Sequence, residues 1–470
     1  MSTFSGLNTA TTALWAQQRG LDVTGQNIAN VNTPGYTRQR AELQSVGGNV
    51  VPAVYATSNQ VGQGVDADTV IRIRDAFLEG RAQLESGGTA RLTVADATLA
   101  QVEQAFREPG TTGIQAKLTA VYTAWQDVAN HPNDNTSSGA RTAVLQSTAS
   151  LVGELRTTSA TLDKQWTQTR ESLAVLSEDV NATAASIADL NTAIKRGVQA
   201  GLPVNELADK RDGLVLQLSA AIGATSRPGD DGQVDVVVAG ATLVSGGTSV
   251  GLAFRGGLDR AAATTDPPRF VTDPGGTTVN VGGTAGGKTA ALTTTIPKYL
   301  TQLDQVAQRI ADEFNTAQTA GYDQAGVRGL AVLGGPGGSA TVTAATIEVL
   351  LSDPAQLAAA TVGPGPTSDG SNAAAIGKLQ NKAGGAMSAY RQLIVGLGVE
   401  ASVATSSLAT QAVVSSQVDA ARDSVSGVNL DEEMTNMMQF QHAYSAAARM
   451  ITTIDETLDV LINRTGRVGL

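Results

Sequence analysis

The sequence predicts a mainly α-helical chain with β insertions (α+β). It reads as an elongated molecule with paired N- and C-terminal coiled-coil helices, a long helical bundle and a small β-rich inner domain. Three observations carry this. Narrow apolar stripes mark both ends, from Leu7 to Ile28 and from Leu430 to Leu461. A 3-4 apolar repeat without a single Pro fills Gly139–Arg196. Between residues 225 and 295 helical spacing gives way to short β-branched runs among Gly and Thr.

The N-terminal stripe is a heptad: Leu7, Leu14, Leu21 and Ile28 recur every seven residues. Its companions Phe4, Thr11, Gln18 and Gly25 fade from apolar to polar, so one narrow seam remains. Pro34 cannot continue a helix and Gly35 can supply the positive φ of a type II turn, which ends the helix near Asn30. Residues 41–78 then change period. Val50-Val51, Val54-Tyr55, Val65 and Val70–Ile73 read as short strands between Gly47-Gly48 and Gly62-Gln-Gly64. Helical spacing returns at Leu92, Ala95, Leu99, Val102 and Phe106, and Pro109-Gly110 closes it.

The longest signal follows. Leu155 and Leu162 lead into Leu173, Leu176, Val180, Thr183, Ile187, Leu190 and Ile194. At 1.5 Å per residue this helix reaches roughly 85 Å, out of proportion to a compact enzyme domain. Val234–Val238 and Leu243-Val244 read as strands in the third zone. A helix is expected from about Pro297 through Tyr299, Leu303, Val306, Ile310 and Phe314. Gly334–Gly338 and Gly363–Pro366 mark loops, and helix resumes from about Ala389 to the end. The last stripe is Leu430, Met434, Met437, Tyr444, Ile451, Ile454, Leu458 and Leu461. The expected domains are 1–40 with 427–470 as a terminal coiled coil, and 41–224 with 296–426 as the helical bundle. Within the bundle 321–386 is loop-rich, and 225–295 is a small β-rich insertion.

Composition removes several functions. With no Cys there is no disulfide scaffold, thiol nucleophile or thiolate metal site. Lys+Arg 32 against Asp+Glu 43 gives −11, which argues against a general nucleic-acid binder. No apolar run approaches the ~18 residues of a membrane span. Met1-Ser-Thr-Phe-Ser-Gly lacks the basic start and greasy stretch of a cleavable signal. The chain is expected to stay in the cytoplasm or to leave by a route that keeps its terminus intact.

One chemical motif matches its pattern in full. Gly282–Thr289 fits G-x-x-x-x-G-K-[ST], the phosphate-cradling loop of nucleotide hydrolases, with Lys288 as its cation. That loop needs a helix N-terminus at the phosphates. A helix starting near Pro297 comes too late for Lys288, and no apolar run ending in Asp offers a Mg²⁺ partner, so chance is the expected explanation. His131 reads as a turn residue. His442 has Met438 and Ala446 at i±4, which makes a zinc site improbable. Asp431-Glu432-Glu433 follows Asn429 at a helix start and is expected to complement the macrodipole. Trp15, Trp125 and Trp166 read as packing residues. No catalytic, cofactor-binding or metal-ligating residue is expected.

The string Asn27-Ile-Ala-Asn30-Val-Asn32-Thr33-Pro34-Gly35-Tyr36-Thr37-Arg38-Gln39 resembles the signature of the bacterial flagellar axial proteins of rod, hook and hook–filament junction. Its Gly-Tyr-Thr-Arg-Gln form is most similar to the junction members. The resemblance recurs at Val70–Leu78, Leu207–Val215, Leu303–Ala307, Glu313–Asn315 and Ser426–Glu433, and again at Gln439–Gln441, Ala443-Tyr444 and Leu461–Asn463. It covers nearly the whole chain in order. The tail 464–470 runs past the family's usual end, and the middle is shorter than in members with a larger inserted domain. Rod and hook members continue into mostly β structure, which the helices at 91–196 do not fit.

The resemblance implies a structural adaptor joining hook to filament, with no cofactor and no catalysis. It implies export as an unfolded chain through the flagellar secretion channel, without a cleaved signal, to an extracellular place in the flagellum. The implied partners are other copies of the chain in a ring, the hook protein, a second junction protein toward the filament, and a cytoplasmic export chaperone on the C-terminal helix. Neither nucleic acid nor membrane is among them. The implied assembly interface is Leu7, Leu14, Leu21 and Ile28 with Leu430, Met434, Met437, Tyr444, Ile451, Ile454, Leu458 and Leu461. Asn30, Asn32, Thr33, Pro34, Gly35 and Tyr36 are the signature. The alternatives are another axial protein, such as hook or rod, and a nucleotide hydrolase using Lys288.

Overall fold

The structure, a computed structural model, describes residues 3–47, 62–132, 139–364 and 368–464. Val50-Val51, Val54-Tyr55 and the tail 465–470 lie outside the described residues. Helix α1 (Thr3–Ala29) opens the chain. Four short strands follow: β1 (Gln39–Ala41), β2 (Gln44–Val46), β3 (Gly64–Asp66) and β4 (Val70–Arg72). Then come α2 (Ala76–Phe106), α3 (Ile114–Asn130), α4 (Gly139–Gln199) and α5 (Asn205–Ile222). The β region holds β5 (Thr225–Pro228), β6 (Val234–Val238), β7 (Ala241–Ser245), β8 (Thr248–Ser249) and β9 (Gly251–Arg255). It continues with α6 (Arg260–Ala263), β10 (Arg269–Asp273) and β11 (Thr278–Val279). After α7 (Gly283–Ala290) and α8 (Ile296–Ala320) stand β12 (Leu333–Gly334), β13 (Glu348–Val349) and α9 (Ser371–Lys378). Helices α10 (Ala386–Ser426) and α11 (Leu430–Asp459) end it. The fold is mainly α with small antiparallel sheets: β1-β4, β2-β3, β5-β6-β7-β8, β11-β10-β9 and β12-β13.

Local chemistry sets the helix ends. Asp75 caps α2 by accepting from the Phe77 and Leu78 amides, and Asn429 caps α11 by accepting from Asp431 and Glu432. Gly223 ends α5 at φ +71, a conformation that glycine adopts without strain. The 61 residues of α4 make a rod of about 90 Å. Trp125, Trp166, Tyr122 and Tyr299 are buried in the bundle core, with Tyr122 stacked on Phe314 at 5.4 Å. Trp15, by contrast, is 65% exposed, which corrects its reading as a packing residue.

The buried edge of the C-terminal half of α4 departs from the expected stripe. Leu173, Val180, Ile187 and Ile194 are buried, but their companions are Ser177, Ala184 and Asn191 rather than Leu176, Thr183 and Leu190. The neighbour here is strand backbone, so small and polar residues serve best. Ser177 Oγ donates to Leu252 O, and Asn181 both accepts from Leu252 N at 2.7 Å and donates to Leu252 O at 2.9 Å. Asn191 does the same for Val234, at 3.1 and 2.7 Å. The β region is thereby hydrogen-bonded onto the rod.

The helix expected near Pro297 begins at Gly283. α7 runs through a π-helical turn at Ala291–Thr295 straight into α8, so Pro297 sits inside a helical stretch. The Ile296 N–H reaches Ala291 O, five residues back, and the wide turn relieves the clash of a Pro ring with the carbonyl four residues before it. In that register Leu292 O faces Pro297, which has no N–H to give. Trp166 supplies the donor: its Nε1 donates to Leu292 O at 3.0 Å.

This also corrects the reading of Gly282–Thr289 as a loop. Its glycines let helices touch backbone to backbone. A Cβ on Gly287 would stand 2.8 Å from Val94 Cβ and 3.0 Å from Arg91 O, and one on Gly283 would meet Ala220 O at 2.3 Å. Lys288 Nζ donates to Ser172 Oγ at 2.9 Å, and burial lowers its pKa. Lys288→Ala should change unfolding free energy by about 1 kcal/mol or less in chemical denaturation, and ATP titration of the wild type should show no saturable binding.

The membrane reading needs correcting as well. The helical stretch Ser371–Asn463 contains an 18-residue window of mean hydropathy 1.4, so one helix long and apolar enough to cross a membrane by length and composition is present. Ser, Thr and Gly break its Val and Leu runs, and Glu400 is the single charge between Arg391 and Asp419. In the structure its N-terminal part buries Met387, Tyr390, Leu393 and Leu397 in the bundle, and further on Thr405 and Gln411 bond to Asp96 and Glu85 of α2.

Candidate functional site at the paired termini

Helices α1 and α11 lie antiparallel along each other. Gly6 stands opposite Ile454, Gly20 opposite Phe440 and Asn27 opposite Glu433. Gly20 matters because a Cβ there would stand 2.7 Å from the Phe440 ring; its absence lets the ring lie on the α1 backbone. Among the described side chains of α1 the buried ones are Ala10, Ala16, Gly20, Val23, Thr24 and Asn27, a 4-3-4 spacing from Ala16 onward. Leu7, Leu14, Leu21 and Ile28 are half-buried beside it. On α11 the half-buried stripe is Met437, Phe440, Tyr444, Ile451, Ile454 and Leu458, with Ala447 and Glu433 fully buried. Leu430, Met434 and Leu461 are exposed. The leucine heptad thus misses the residues of closest approach, because two backbones meet most closely over small side chains.

The signature loop is a turn with a tether. Thr33, Pro34, Gly35 and Tyr36 form the expected type II turn, with Gly35 at φ +79 and Tyr36 N donating to Thr33 O at 3.2 Å. Asn30 steadies it by accepting from Thr33 Oγ1 at 3.1 Å, while Asn32 and Pro34 face solvent. Tyr36 OH reaches back to Asn27 Oδ1 at 2.9 Å. Burial and the nearby Asp209, Glu206 and Glu433 push its pKa up to about 12, so it stays a donor at physiological pH. Asn27 Nδ2 also donates to Gln39 O at 2.9 Å and to Glu433 Oε2 at 3.0 Å.

Glu433 does more than complement a helix dipole. It is 2% exposed and accepts from Arg38 Nε at 2.7 Å, while Arg38 Nη1 donates to Glu432 at 2.7 Å. Sequence reasoning missed this pair because the partners lie 395 positions apart. Hydrogen bonds to charged groups contribute about 1.5–3 kcal/mol, so Arg38→Met should lower unfolding free energy by about 2–3 kcal/mol in thermal or chemical melts.

A second cluster joins the loop to α5. Arg72 donates to Asp209 at 2.7 Å and to Asp212 at 2.8 Å; Arg74 and Arg211 also bond to Asp212. Burial pushes the Asp212 carboxyl up, but Arg211, Arg74 and Arg72 together outweigh it and hold it below the usual range. A lowered folded pKa gives stability that is present above the unfolded value of 3.8 and lost as pH falls through the folded one. Helical circular dichroism should therefore hold to pH 4, with the contribution of Asp212 disappearing only below it. Among the described residues no group of three or more His, Asp or Glu is placed to hold a metal ion.

Comparison with known proteins agrees with this architecture. Residues 99–332 match the family model of the flagellar hook-associated protein FlgK helical domain. Residues 7–37 match the flagella basal body rod protein model and residues 422–464 the C-terminal model of the rod FlgEFG proteins. Flagellar hook-associated protein 1 of Bacillus subtilis is 30% identical, over 100% of this chain and 99% of the relative. That of Escherichia coli is 26% identical, over 97% and 99%. The solved flagellar hook junction protein FlgK from Burkholderia pseudomallei has the same fold, at TM-score 0.63 and 17% identity, covering 74% of this chain and 100% of that one. With helices at both ends, a rod-like bundle between them and a full-length relative at 30% identity, this chain belongs to the flagellar hook-associated protein 1 family, structural proteins of the flagellar axis.

Proposed function

We propose that the chain is the adaptor that joins hook to filament, and that copies of it assemble into a ring through the terminal coiled coil. The observation that carries this reading is the surface of that coil. Two helices cannot enclose their own apolar residues, and Trp15, Leu430, Met434, Met438 and Met450 remain exposed on it. In a ring these positions meet neighbouring copies, together with the half-buried Leu7, Leu14, Leu21, Ile28, Met437, Tyr444, Ile451, Ile454 and Leu458, and with Leu461. The ring sits on hook protein and receives a second junction protein toward the filament. Before that, the chain leaves the cell unfolded through the flagellar channel with its terminus uncleaved, and a chaperone covers the C-terminal helix until export.

The working parts divide accordingly. Residues 1–40 with 427–470 form the assembly domain; the bundle of 41–224 and 296–426, with its β insertion within 225–295, forms the outer shell. Imaging of labelled protein in a deletion strain tests the reading. A single band at the hook–filament boundary is expected, and label spread along the filament or held in the cell body would refute it.

A further inference from the structure

Helix α10 has a firm root and a loosely held arm. The root, 386–404, buries Met387, Tyr390, Leu393 and Leu397 in the bundle. Tyr390 OH donates to Glu108 at 3.1 Å, Ala386 N donates to Glu313 at 3.0 Å, and Glu400 accepts from Tyr299 OH at 2.7 Å. Beyond Ala404 that support stops. The buried cluster of the described residues ends at Leu397, and the half-buried residues packed on it end at Ala404. Within the arm, 405–426, no side chain is buried. Its half-buried residues are mostly small or polar, and Leu408, Val414 and Val418 are the large apolar ones among them. The ties to α2 are polar: Thr405 Oγ1 donates to Asp96 at 2.6 Å, Gln411 Nε2 donates to Glu85, and Arg422 stands 4.0 Å from Glu79. At the far end Ser426 O accepts from Arg38 N at 2.9 Å, in the loop that leaves α1. Ser, Thr and Val, all weak helix formers, fill more than half of the arm.

We infer that residues 405–426 open from α2 and melt as one unit while the bundle stays folded, which makes the arm a slack tether for the helix beyond it. Segments with few buried apolar contacts open locally at a small fraction of the global unfolding free energy. The arm buries little, so detachment forfeits little. Once off α2 it lacks the tertiary packing that sustains most helices, and its weak propensity cannot keep it helical. Opening and melting therefore occur together. The root cannot follow, because its large side chains belong to the bundle core. Gly427, Val428 and Asn429 are all that separate the arm from α11. Fully extended, a melted arm reaches roughly 70 Å, about twice its length as a helix. The device thus gives α11 freedom of placement without unfolding the bundle. The inference concerns the isolated chain and stands whether or not that chain joins hook to filament.

Hydrogen–deuterium exchange of the whole chain, read peptide by peptide by mass spectrometry, tests this. Amides of 405–426 should exchange about 100-fold faster or more than those of 386–397, with both halves of the arm at one common rate. Ser415→Leu places a large apolar side chain at a half-buried position between Gln411 and Val418. It should slow exchange across the whole arm by about fivefold or more and leave 140–190 of α4 unchanged. Should that variant lose its helical circular dichroism signal, Ala421→Leu, also half-buried, takes its place with the same expectation. Uniform protection through 386–426, a gradual decline from root to tip, or an unslowed arm in a folded variant overturns the inference.

Discussion

Trp166→Ala is expected to lower unfolding free energy by about 4 kcal/mol or more, the largest effect of any single truncation in the bundle. Removing a buried Trp costs about 3–5 kcal/mol through lost burial and the cavity left behind. Trp166 is 1% exposed and also holds the Leu292 carbonyl, which the π turn and Pro297 leave without a backbone donor. An unsatisfied buried carbonyl adds about 1–3 kcal/mol. Trp166→Phe keeps most of the volume and should lose mainly this second contribution. Pro297→Ala restores an N–H that can reach Leu292 O in the π register. A double-mutant cycle of Trp166→Phe with Pro297→Ala, read by urea unfolding, should show coupling of about 1 kcal/mol. Equal costs of Trp166→Phe in both backgrounds would show that Leu292 O finds its donor elsewhere.

Met434→Asp is expected to abolish motility while leaving the monomer's melting transition in place. Met434 is 57% exposed, so the folded chain gains little from it, and a surface substitution there should stay within about 0.5 kcal/mol. If neighbouring copies cover it, each contact forfeits roughly 1.5–3 kcal/mol of burial and acquires a carboxylate to desolvate. A ring repeats that loss in every subunit. Cells carrying the variant should export it at normal levels and shed filament protein into the medium. Met434→Leu conserves volume and should restore swimming. Leu458→Asp is the contrasting case: Leu458 is half-buried on the stripe of Tyr444, Ile451 and Ile454, so this change should lower coil stability as well as block assembly. Normal swimming with Met434→Asp at wild-type export would remove this position from the assembly surface.

Much of the fold is legible in the sequence because helical period is a local property of the chain. The uninterrupted helix α4, the apolar stripes of the two terminal helices and the Pro34-Gly35 turn all follow from spacing and backbone preference. The candidate site is legible in part: the stripes locate the coil, and the signature string locates its base. What spacing cannot report is which face another body approaches. Ser177 and Asn191 are buried on α4 because strand backbone, not side chains, lies against them. Gly287 and Gly20 look like breakers or loop residues until a helix and a ring are seen to rest on them. Pro297 reads as a helix start, and only the π turn and the Trp166 indole, supplied from 126 positions before Leu292, allow it inside one. Glu433 reads as a helix-start acid that complements the macrodipole, yet Arg38 and Asn27 make it a buried partner. Apolar periodicity by itself determined where the helices run. Polar and small residues decided how they meet, since the fit of a hydrogen bond or a backbone contact depends on partners that only the tertiary structure brings together.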